Sequence, residues 1–197
     1  MPIQRIHAEN FKSFSELDIE LSRFNVVIGS NAAGKSNFIS IFKFLRDITR
    51  HGIVNAIALQ GGSEYLQNAK IGHSHDLLIK VVYLPDKKSE ILERPGMEVS
   101  PLEIKSCLSS YEFALRFSPG DDGFSITKDR LILGCEVLSC RREHNHITGK
   151  QSIGHGEIRV SSEGGKLSYS LDLPERCMLS EQDIIPLCFH GKRLPEK

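Results

Sequence analysis

Residues 24–36 read Phe-Asn-Val-Val-Ile-Gly-Ser-Asn-Ala-Ala-Gly-Lys-Ser. The first five form a nearly continuous apolar run with β-branched side chains, which predicts a strand buried on both faces within a parallel sheet. The next eight fit the pattern Gly-x-x-x-x-Gly-Lys-Ser, from Gly29 to Ser36. The stretch therefore predicts a strand that runs directly into a glycine-bearing turn.

A helix is predicted to follow this turn. Apolar side chains recur there at helical spacing, and Gly52 is a natural stop. Ile39 and Phe44 broaden the apolar face, so the helix is expected to be covered on more than one side. The residues at helical spacing are Phe38, Ile41, Phe42, Leu45 and Ile48.

The strand–turn–helix context gives the pattern a chemical meaning. Gly29 permits a sharp turn, and Gly34 lets backbone amides approach phosphate oxygens. These amides and the positive end of the helix form an anion nest. Lys35 is expected to reach the β- and γ-phosphates, and the Ser36 hydroxyl to bind Mg²⁺. The sequence thus predicts binding of ATP or another nucleoside triphosphate with Mg²⁺.

The composition is that of a folded protein. The chain has 197 residues, 40% of them hydrophobic and 25% charged, and its 25 acidic residues balance 25 basic ones. This balance gives no basic excess of the kind that marks a dedicated nucleic-acid binder. No apolar run is long enough for a signal peptide or a membrane span, and the five cysteines are irregularly spaced. We therefore expect a cytoplasmic protein with reduced thiols and no membrane partner.

The rest of the chain favours strands. Alternation of apolar and polar residues predicts a strand over residues 14–21 before the motif. A short helix is predicted within residues 53–72. Further strands are predicted within 77–84, 111–117, 124–133, 158–162 and 166–173, with a hairpin turn at Gly164-Gly165 and a charged, proline-bearing interruption between Pro85 and Pro101. We predict a nucleotide-binding segment at 1–75, an antiparallel β-lobe at 76–178 and the start of a helical segment or tail at 179–197.

The opening of the chain resembles the amino-terminal segment of AAA-labelled ATPases of the ABC type, the SMC/RecF-like and OLD-like group. The resemblance rests on Asn-Phe-Lys-Ser-Phe at 10–14, where that group ends its first strand, and on Gly-Lys-Ser-Asn at 34–37, which opens its helix. It implies an α/β P-loop NTPase lobe of an ABC/SMC-like head, with a mixed sheet and an antiparallel β-lobe.

The resemblance also implies roles for single residues. Lys12 and Ser13 are expected to line the nucleotide near its base and sugar, and Asn31 to face the γ-phosphate. The alternative for Lys12 is a solvated side chain at a strand end, and for Asn31 a residue that tolerates turn geometry. The full set of expected nucleotide contacts is Lys12, Ser13, Gly29, Ser30, Asn31, Ala32, Ala33, Gly34, Lys35, Ser36 and Asn37.

Heads of this group also use a Leu-Ser-x-Gly-Glu/Gln motif and an apolar strand that ends in an acidic pair. Residues 108–112 (Leu-Ser-Ser-Tyr-Glu) lack the glycine and lead into an alternating strand, and no aspartate precedes Glu136. Gln182 fits either the group's metal-binding glutamine loop or a helix start capped by Ser180. We therefore predict an incomplete head that binds nucleotide better than it hydrolyses it. A missing C-terminal half or a second head, as in a homodimer, would complete it.

Other functions remain open from the sequence. A self-contained P-loop kinase would need a lid on helices, where this chain predicts strands, and Thr127-Lys-Asp-Arg130 lacks the guanine-reading aspartate of a GTPase. A non-enzymatic nucleotide sensor or interaction module remains an alternative, and DNA or an associated nuclease is a possible partner. Zinc binding is disfavoured, because ligands five apart in a strand point to opposite faces. The residues concerned are Cys135, Cys140, His144 and His146.

Overall fold

A computed structural model describes residues 2–85, 89–92, 100–120, 123–143, 146–177 and 179. The helices are α1 (Lys35–His51), α2 (Ile53–Leu59) and α3 (Ser63–Leu66). The strands are β1 (Ile3–Phe11), β2 (Phe14–Glu20), β3 (Leu77–Tyr83), β4 (Ser89–Leu92), β5 (Leu102–Ser106), β6 (Ser109–Phe117), β7 (Phe124–Glu143), β8 (His146–Glu163) and β9 (Lys166–Asp172).

The chain divides into two compact units. The first, here the P-loop unit, comprises residues 2–82 and 111–129, and the second, the hairpin unit, comprises residues 83–110 and those from 130 onward. Both units are discontinuous in sequence. The expected functional division at residue 75 stays a prediction, and its last segment, 179–197, lies outside the described residues except for Leu179.

The P-loop unit is a sheet covered by α1. Its strands lie in the order β2-β1-β3-β6-β7, of which β7 contributes residues 124–129. Strands β1 and β2 are antiparallel, with Phe11 opposite Phe14. The fully buried Phe44 of α1 contacts two sheet residues, Phe11 and Phe113, at ring-centroid distances of 6.2 and 6.5 Å. Aromatic packing of this kind joins the helix to the sheet.

The helix is confirmed, and its predicted apolar residues are buried or half-buried, but Ile39, expected to broaden this face, is exposed. Phe38, Ile41 and Phe44 are buried, together with Asp47, whereas Ile39 is 51% exposed. Phe44, expected only to broaden the face, is thus at its centre. Residues three positions apart are displaced by about 60° around an α-helix, so the buried surface winds around about half of the helix between Phe38 and Asp47.

The strand predicted at residues 24–28 is wrong. This segment is neither helix nor strand in the structure, and four of its side chains are exposed, namely Phe24 (81%), Val26 (68%), Val27 (48%) and Ile28 (87%). A central parallel strand needs hydrogen-bonded neighbours and helices on both faces. The described residues place no such neighbours along it, so the run is irregular and exposed.

The strands of the hairpin unit pair in antiparallel orientation. Strand β5 pairs with β4 and with β7, β7 with β8, and β8 with β9. The predicted β8–β9 hairpin is confirmed, because Glu163 lies opposite Lys166 and the glycines between them have φ values of 56° and 79°. The predicted interruption after Pro85 contains β4. The core of the hairpin unit contains Leu102, Ile104, Cys135, Val137 and Cys177.

Two glycines of the hairpin unit occupy positions where no side chain fits. A Cβ atom at Gly134 would overlap the carbonyl oxygen of Leu108, and one at Gly156 would overlap that of Asp172. Backbone segments therefore approach β7 and β8 closely at these positions. One such approach carries a hydrogen bond from the Cys107 N–H to the Gly134 carbonyl, at 2.7 Å.

Candidate functional site: the turn before α1

The turn between residues 28 and 35, where the sequence predicts an anion nest (here called the nest), contains two residues with a left-handed backbone. Ala32 and Gly34 both have left-handed conformations, with φ values of 64° and 88°. The Phe38 N–H donates to the Gly34 carbonyl at 2.9 Å, which begins the helical hydrogen-bond pattern. The amides before Phe38 therefore precede the helical hydrogen-bond pattern, and N–H groups in this position are able to bind anions.

The start of α1 is suited to negative charge. Within the described chain, no side chain caps it, and its first turn contains no acidic residue. The first-turn amides and the positive end of the helix dipole are thus left to an external anion rather than to a carboxylate of the helix itself.

Lys35 holds the turn closed. Its Nζ donates to the carbonyl oxygen of Gly29 at 2.8 Å and also to that of Ser30. An ammonium group has three donors, so one remains for a phosphate oxygen when both carbonyl bonds are kept. The ammonium thus lies against the backbone of the turn, and its expected contact with the β- and γ-phosphates stays a prediction.

The predicted Mg²⁺ ligand Ser36 is exposed in the first turn of α1, and its carbonyl accepts a hydrogen bond from the Ser40 hydroxyl at 2.9 Å. A lone serine hydroxyl suits Mg²⁺, which keeps several waters and takes its other ligands from phosphates. Asn31 is exposed in the turn, with Ser30 and Ala33 beside it, and its expected contact with the γ-phosphate stays a prediction. Gln182 lies outside the described residues.

Of the two β1–β2 turn residues, Ser13 lies directly against the motif. The Asn37 Nδ2 donates to its Oγ at 2.8 Å. Lys12, in a left-handed conformation with φ 51°, has its Nζ 5.9 Å from the Phe11 ring centroid, and partial burial lowers the pKa of its ammonium. Their expected contacts with base and sugar stay predictions. The sequence analysis gave no role to Phe14, although it belongs to the quoted Asn-Phe-Lys-Ser-Phe.

A groove of about 570 Å³ adjoins the turn. One side comes from β2 and the residues that follow it, and another from the exposed run at 24–28. Gly34 and Lys35 lie at its end, so the groove and the anion nest are continuous. Its apolar lining includes Phe14, Leu17, Ile19, Leu21, Phe24 and Phe38.

The sequences that imitate further ATPase motifs have structural roles. Residues 109–112 belong to β6, as expected from their alternation. Glu136 is a strand residue whose carboxylate receives a hydrogen bond from Lys105 at 3.0 Å, and this bond lowers the pKa of the glutamate. Neither segment forms the helix or the strand end that those motifs require.

The cysteines of β7 lie on opposite faces of the sheet. Cys135 belongs to the buried core of the hairpin unit, whereas Cys140 is paired with Lys150, whose ammonium contacts the Glu103 carboxylate. Burial raises the pKa of the Cys140 thiol. Across the described part of the chain, no three His, Cys, Asp or Glu side chains are grouped to hold a metal ion.

With this geometry in place, comparison with known families gives the class. A family model described as the AAA ATPase domain matches residues 1–159, and the chain belongs to this family. The match covers both the nest and α1, and it identifies the turn as part of a nucleotide-binding ATPase domain. A search of curated proteins found no match.

No helix among the described residues has the length and apolarity to cross a membrane. The expectation of a cytoplasmic protein stays a prediction.

Proposed function

We propose that residues 29–37 bind ATP with Mg²⁺, and that the chain forms the P-loop half of an SMC/RecF-like, ABC-type ATPase head. The observation that carries the proposal is the uncapped start of α1 behind two left-handed residues, with the Lys35 ammonium held against the turn. Such a site offers convergent N–H donors and one positive charge to a polyphosphate.

The open run at residues 24–28 supports the second part of the proposal. A strand-type sequence with exposed apolar side chains borders an apolar groove, although nothing described pairs with it. Pairing by a strand from another part of the protein or from a second subunit would bury these side chains and satisfy the backbone. In ATPase heads of this type that strand would bring the acidic residues for hydrolysis.

Nucleotide binding by two such heads, with the nucleotide between them, would then drive their engagement. Action on DNA or on an associated nuclease is the output that we propose for this engagement. The described chain alone would bind ATP without efficient turnover, because its strands place no acidic pair beside the nest.

The nucleotide site is tested by calorimetry with Mg-ATP. Lys35→Ala removes the ammonium at the nest, and we expect its affinity to fall about tenfold or more, since a hydrogen bond to a charged group contributes about 1.5–3 kcal/mol. Lys43→Ala, which removes an exposed lysine from the same helix, is the matched control. Equal affinities in folded Lys35→Ala and wild-type protein would rule out the site.

The Mg²⁺ contact is tested separately. Ser36→Ala should weaken binding of ATP in the presence of Mg²⁺ and leave Mg²⁺-free binding almost unchanged, because the hydroxyl acts on the metal. Titrations with MgCl₂ and with EDTA measure the two cases. A loss of the same size in both conditions would mean that Ser36 contacts phosphate or shapes the turn.

The proposal that this chain binds ATP without efficient hydrolysis is tested by measuring phosphate release. We expect the chain to bind Mg-ATP while releasing phosphate no faster than the Lys35→Ala variant does. Rapid phosphate release by the wild-type chain alone would contradict the proposed half-site, even if nucleotide binding were established.

A further inference from the structure

The β1–β2 turn touches the nest at two points. The Asn37 side chain donates a hydrogen bond to the Ser13 Oγ at 2.8 Å. A Cβ atom at Gly34 would lie 3.1 Å from the same Oγ and 3.3 Å from the Phe14 ring. Ser13 and Phe14 therefore fill the space that any other residue at position 34 would need.

The turn is itself fixed by the end of α3 and by the pairing of β1 with β2. The Lys12 N–H donates to the Leu66 carbonyl at 2.7 Å. On one side of the turn, Phe11 is fully buried, and it pairs across the strands with Phe14. The contact from Ser13 therefore connects the start of α1 to a turn that is held by backbone hydrogen bonding and by the buried Phe11.

Asn37 is the α1 residue that makes this connection to the β1–β2 turn. It is the third residue of α1, within the turn whose amides face the nest, and no side chain within the described segments caps this helix start. Rotation of the first helical turn would change the directions of its N–H groups, and hydrogen-bonded side chains restrict such rotation. The hydrogen bond to Ser13 thus restrains the part of α1 that would meet the phosphates.

We propose that Ser13 and Asn37 are positioning residues, which hold the N–H groups of the nest in convergence through their mutual hydrogen bond. This inference rests on the proposed nucleotide site. It gives Ser13 a role that acts through Asn37, in place of the direct contact with base and sugar that the family resemblance implies. The two roles predict different ligand dependence.

Binding measurements with two ligands distinguish the positioning role of Ser13 from a direct contact with base or sugar. Mg-ATP has base, sugar and phosphates, whereas magnesium tripolyphosphate has only the phosphates. Loss of the Ser13–Asn37 hydrogen bond should weaken both ligands by the same factor, about three- to tenfold for one neutral hydrogen bond. Loss of a contact to base or sugar should weaken only Mg-ATP.

The experiment compares Ser13→Ala, Asn37→Ala and the double variant by calorimetry with both ligands. Because the two residues act as one pair, the double variant should bind no more weakly than the weaker single variant. Thr49→Ala and Asn55→Ala are matched controls, since each removes an exposed side chain that bonds only a helix carbonyl in its own region.

Three outcomes would overturn the inference. Weakened Mg-ATP binding with unchanged tripolyphosphate binding would assign Ser13 to base or sugar. Losses that multiply in the double variant would show independent contacts, and unchanged binding of both ligands in folded variants would show that the hydrogen bond has no role. Absence of binding by the wild-type chain would instead overturn the proposed nucleotide site, so the two failures are distinguishable. Thermal melting of each variant checks that it is folded.

Discussion

Asn10 is a buried polar residue of β1, and its side chain joins three backbone positions far along the chain. Its Nδ2 donates to the carbonyls of Gly72 and His75, at 2.9 and 2.7 Å, and its Oδ1 accepts from the Asn68 N–H at 3.0 Å. Its φ of 52° is one that asparagine tolerates better than most residues do. A single amide thus fixes residues 68–75 against the first strand.

Replacing Asn10 by alanine should destabilise the protein by about 1–3 kcal/mol, because the buried Asn68 N–H loses its partner, whereas the Gly72 carbonyl keeps the Gln67 amide. Denaturant unfolding measures the change in the free energy of unfolding. Asn55→Ala, which removes an exposed amide, should cost less than about 1 kcal/mol. Equal effects of the two variants would contradict the role given to Asn10.

Ala32 shows the opposite situation, a residue in a conformation that it tolerates poorly. Its φ of 64° lies in the left-handed region, which costs a non-glycine residue about 1–2 kcal/mol. Ala32→Gly should therefore raise the free energy of unfolding by up to about 1 kcal/mol, after the entropic cost of glycine. A decrease in denaturation midpoint would show that the turn relaxes in solution.

At this scale the sequence predicted the types of residue and their local chemistry. Gly34, Lys35 and Ser36 stand in a motif whose parts have separate physical roles, and the phosphate and Mg²⁺ contacts expected of them stay predictions. The partners of Asn10 could not be predicted, because they lie about sixty residues away and no local pattern relates them. The contact of Ser13 with Asn37 could not be predicted either, because no local pattern relates two residues that lie 24 positions apart.

Among the elements, α1 determines how the sheet of the P-loop unit is covered. Its buried residues recur at three-residue steps from Phe38 to Asp47, and its exposed side includes Ile39. Helical periodicity predicted the helix correctly, but the helix contains so many apolar residues that the sequence alone does not decide which face is buried. Only the sheet, through Phe11 and Phe113, decides that Phe44 is at the centre.

Phe44→Ala should destabilise the P-loop unit by about 3–5 kcal/mol, the range for loss of a buried phenylalanine. Ile39→Ala, on the exposed side of the same helix, should change the free energy of unfolding by less than about 1 kcal/mol. Chemical denaturation followed by circular dichroism measures both. A large effect of Ile39→Ala would indicate that this side of α1 is covered in solution.

Residues 24–28 show what an apolar run alone leaves undecided. The same sequence suits a buried parallel strand or an irregular exposed segment, and the choice depends on neighbours that the run does not itself contain. In the hairpin unit the reverse holds. The Gly164-Gly165 turn predicted the β8–β9 hairpin correctly, because its two strands are close in sequence. The strands predicted at 124–133 and 158–162 fall short of β7 and β8, and β5 was not predicted.

For the whole molecule, the AAA ATPase domain was accessible from the first fifty residues, whereas the division into units was not. The chain leaves the P-loop unit at the end of β3, forms β4 and β5 in the hairpin unit, and comes back to the P-loop unit within β6. Pairing over such distances depends on the packing of the complete unit. It leaves no signal in the spacing of residues along β6.

Acid sensitivity is a further property of the whole fold. The hydrogen bond from Arg5 lowers the pKa of Asp18. Burial raises the pKa of Asp76, but its hydrogen bonds from Arg116 and Thr127 outweigh burial, so this pKa also lies below its usual value. A carboxylate with a lowered folded-state pKa stabilises the fold above its unfolded-state pKa. We expect unfolding free energy to fall as the pH decreases below about 4.

Urea unfolding at pH 7 and at about pH 3 measures this loss, and Asp76→Asn should reduce the difference between the two conditions. Glu64→Gln, at an exposed position of α3, should leave the difference unchanged. A pH dependence that Asp76→Asn does not alter would mean that other carboxylates account for it.

The exposed run at residues 24–28 also has a practical consequence for handling the protein. Uncovered β-branched side chains in a strand-type sequence are a template for intermolecular sheet formation. Solutions of the chain should accordingly become turbid on concentration, and a lysine in place of Val26 should delay turbidity without lowering the melting temperature. Light scattering would reveal the same surface that a natural partner would be expected to shield.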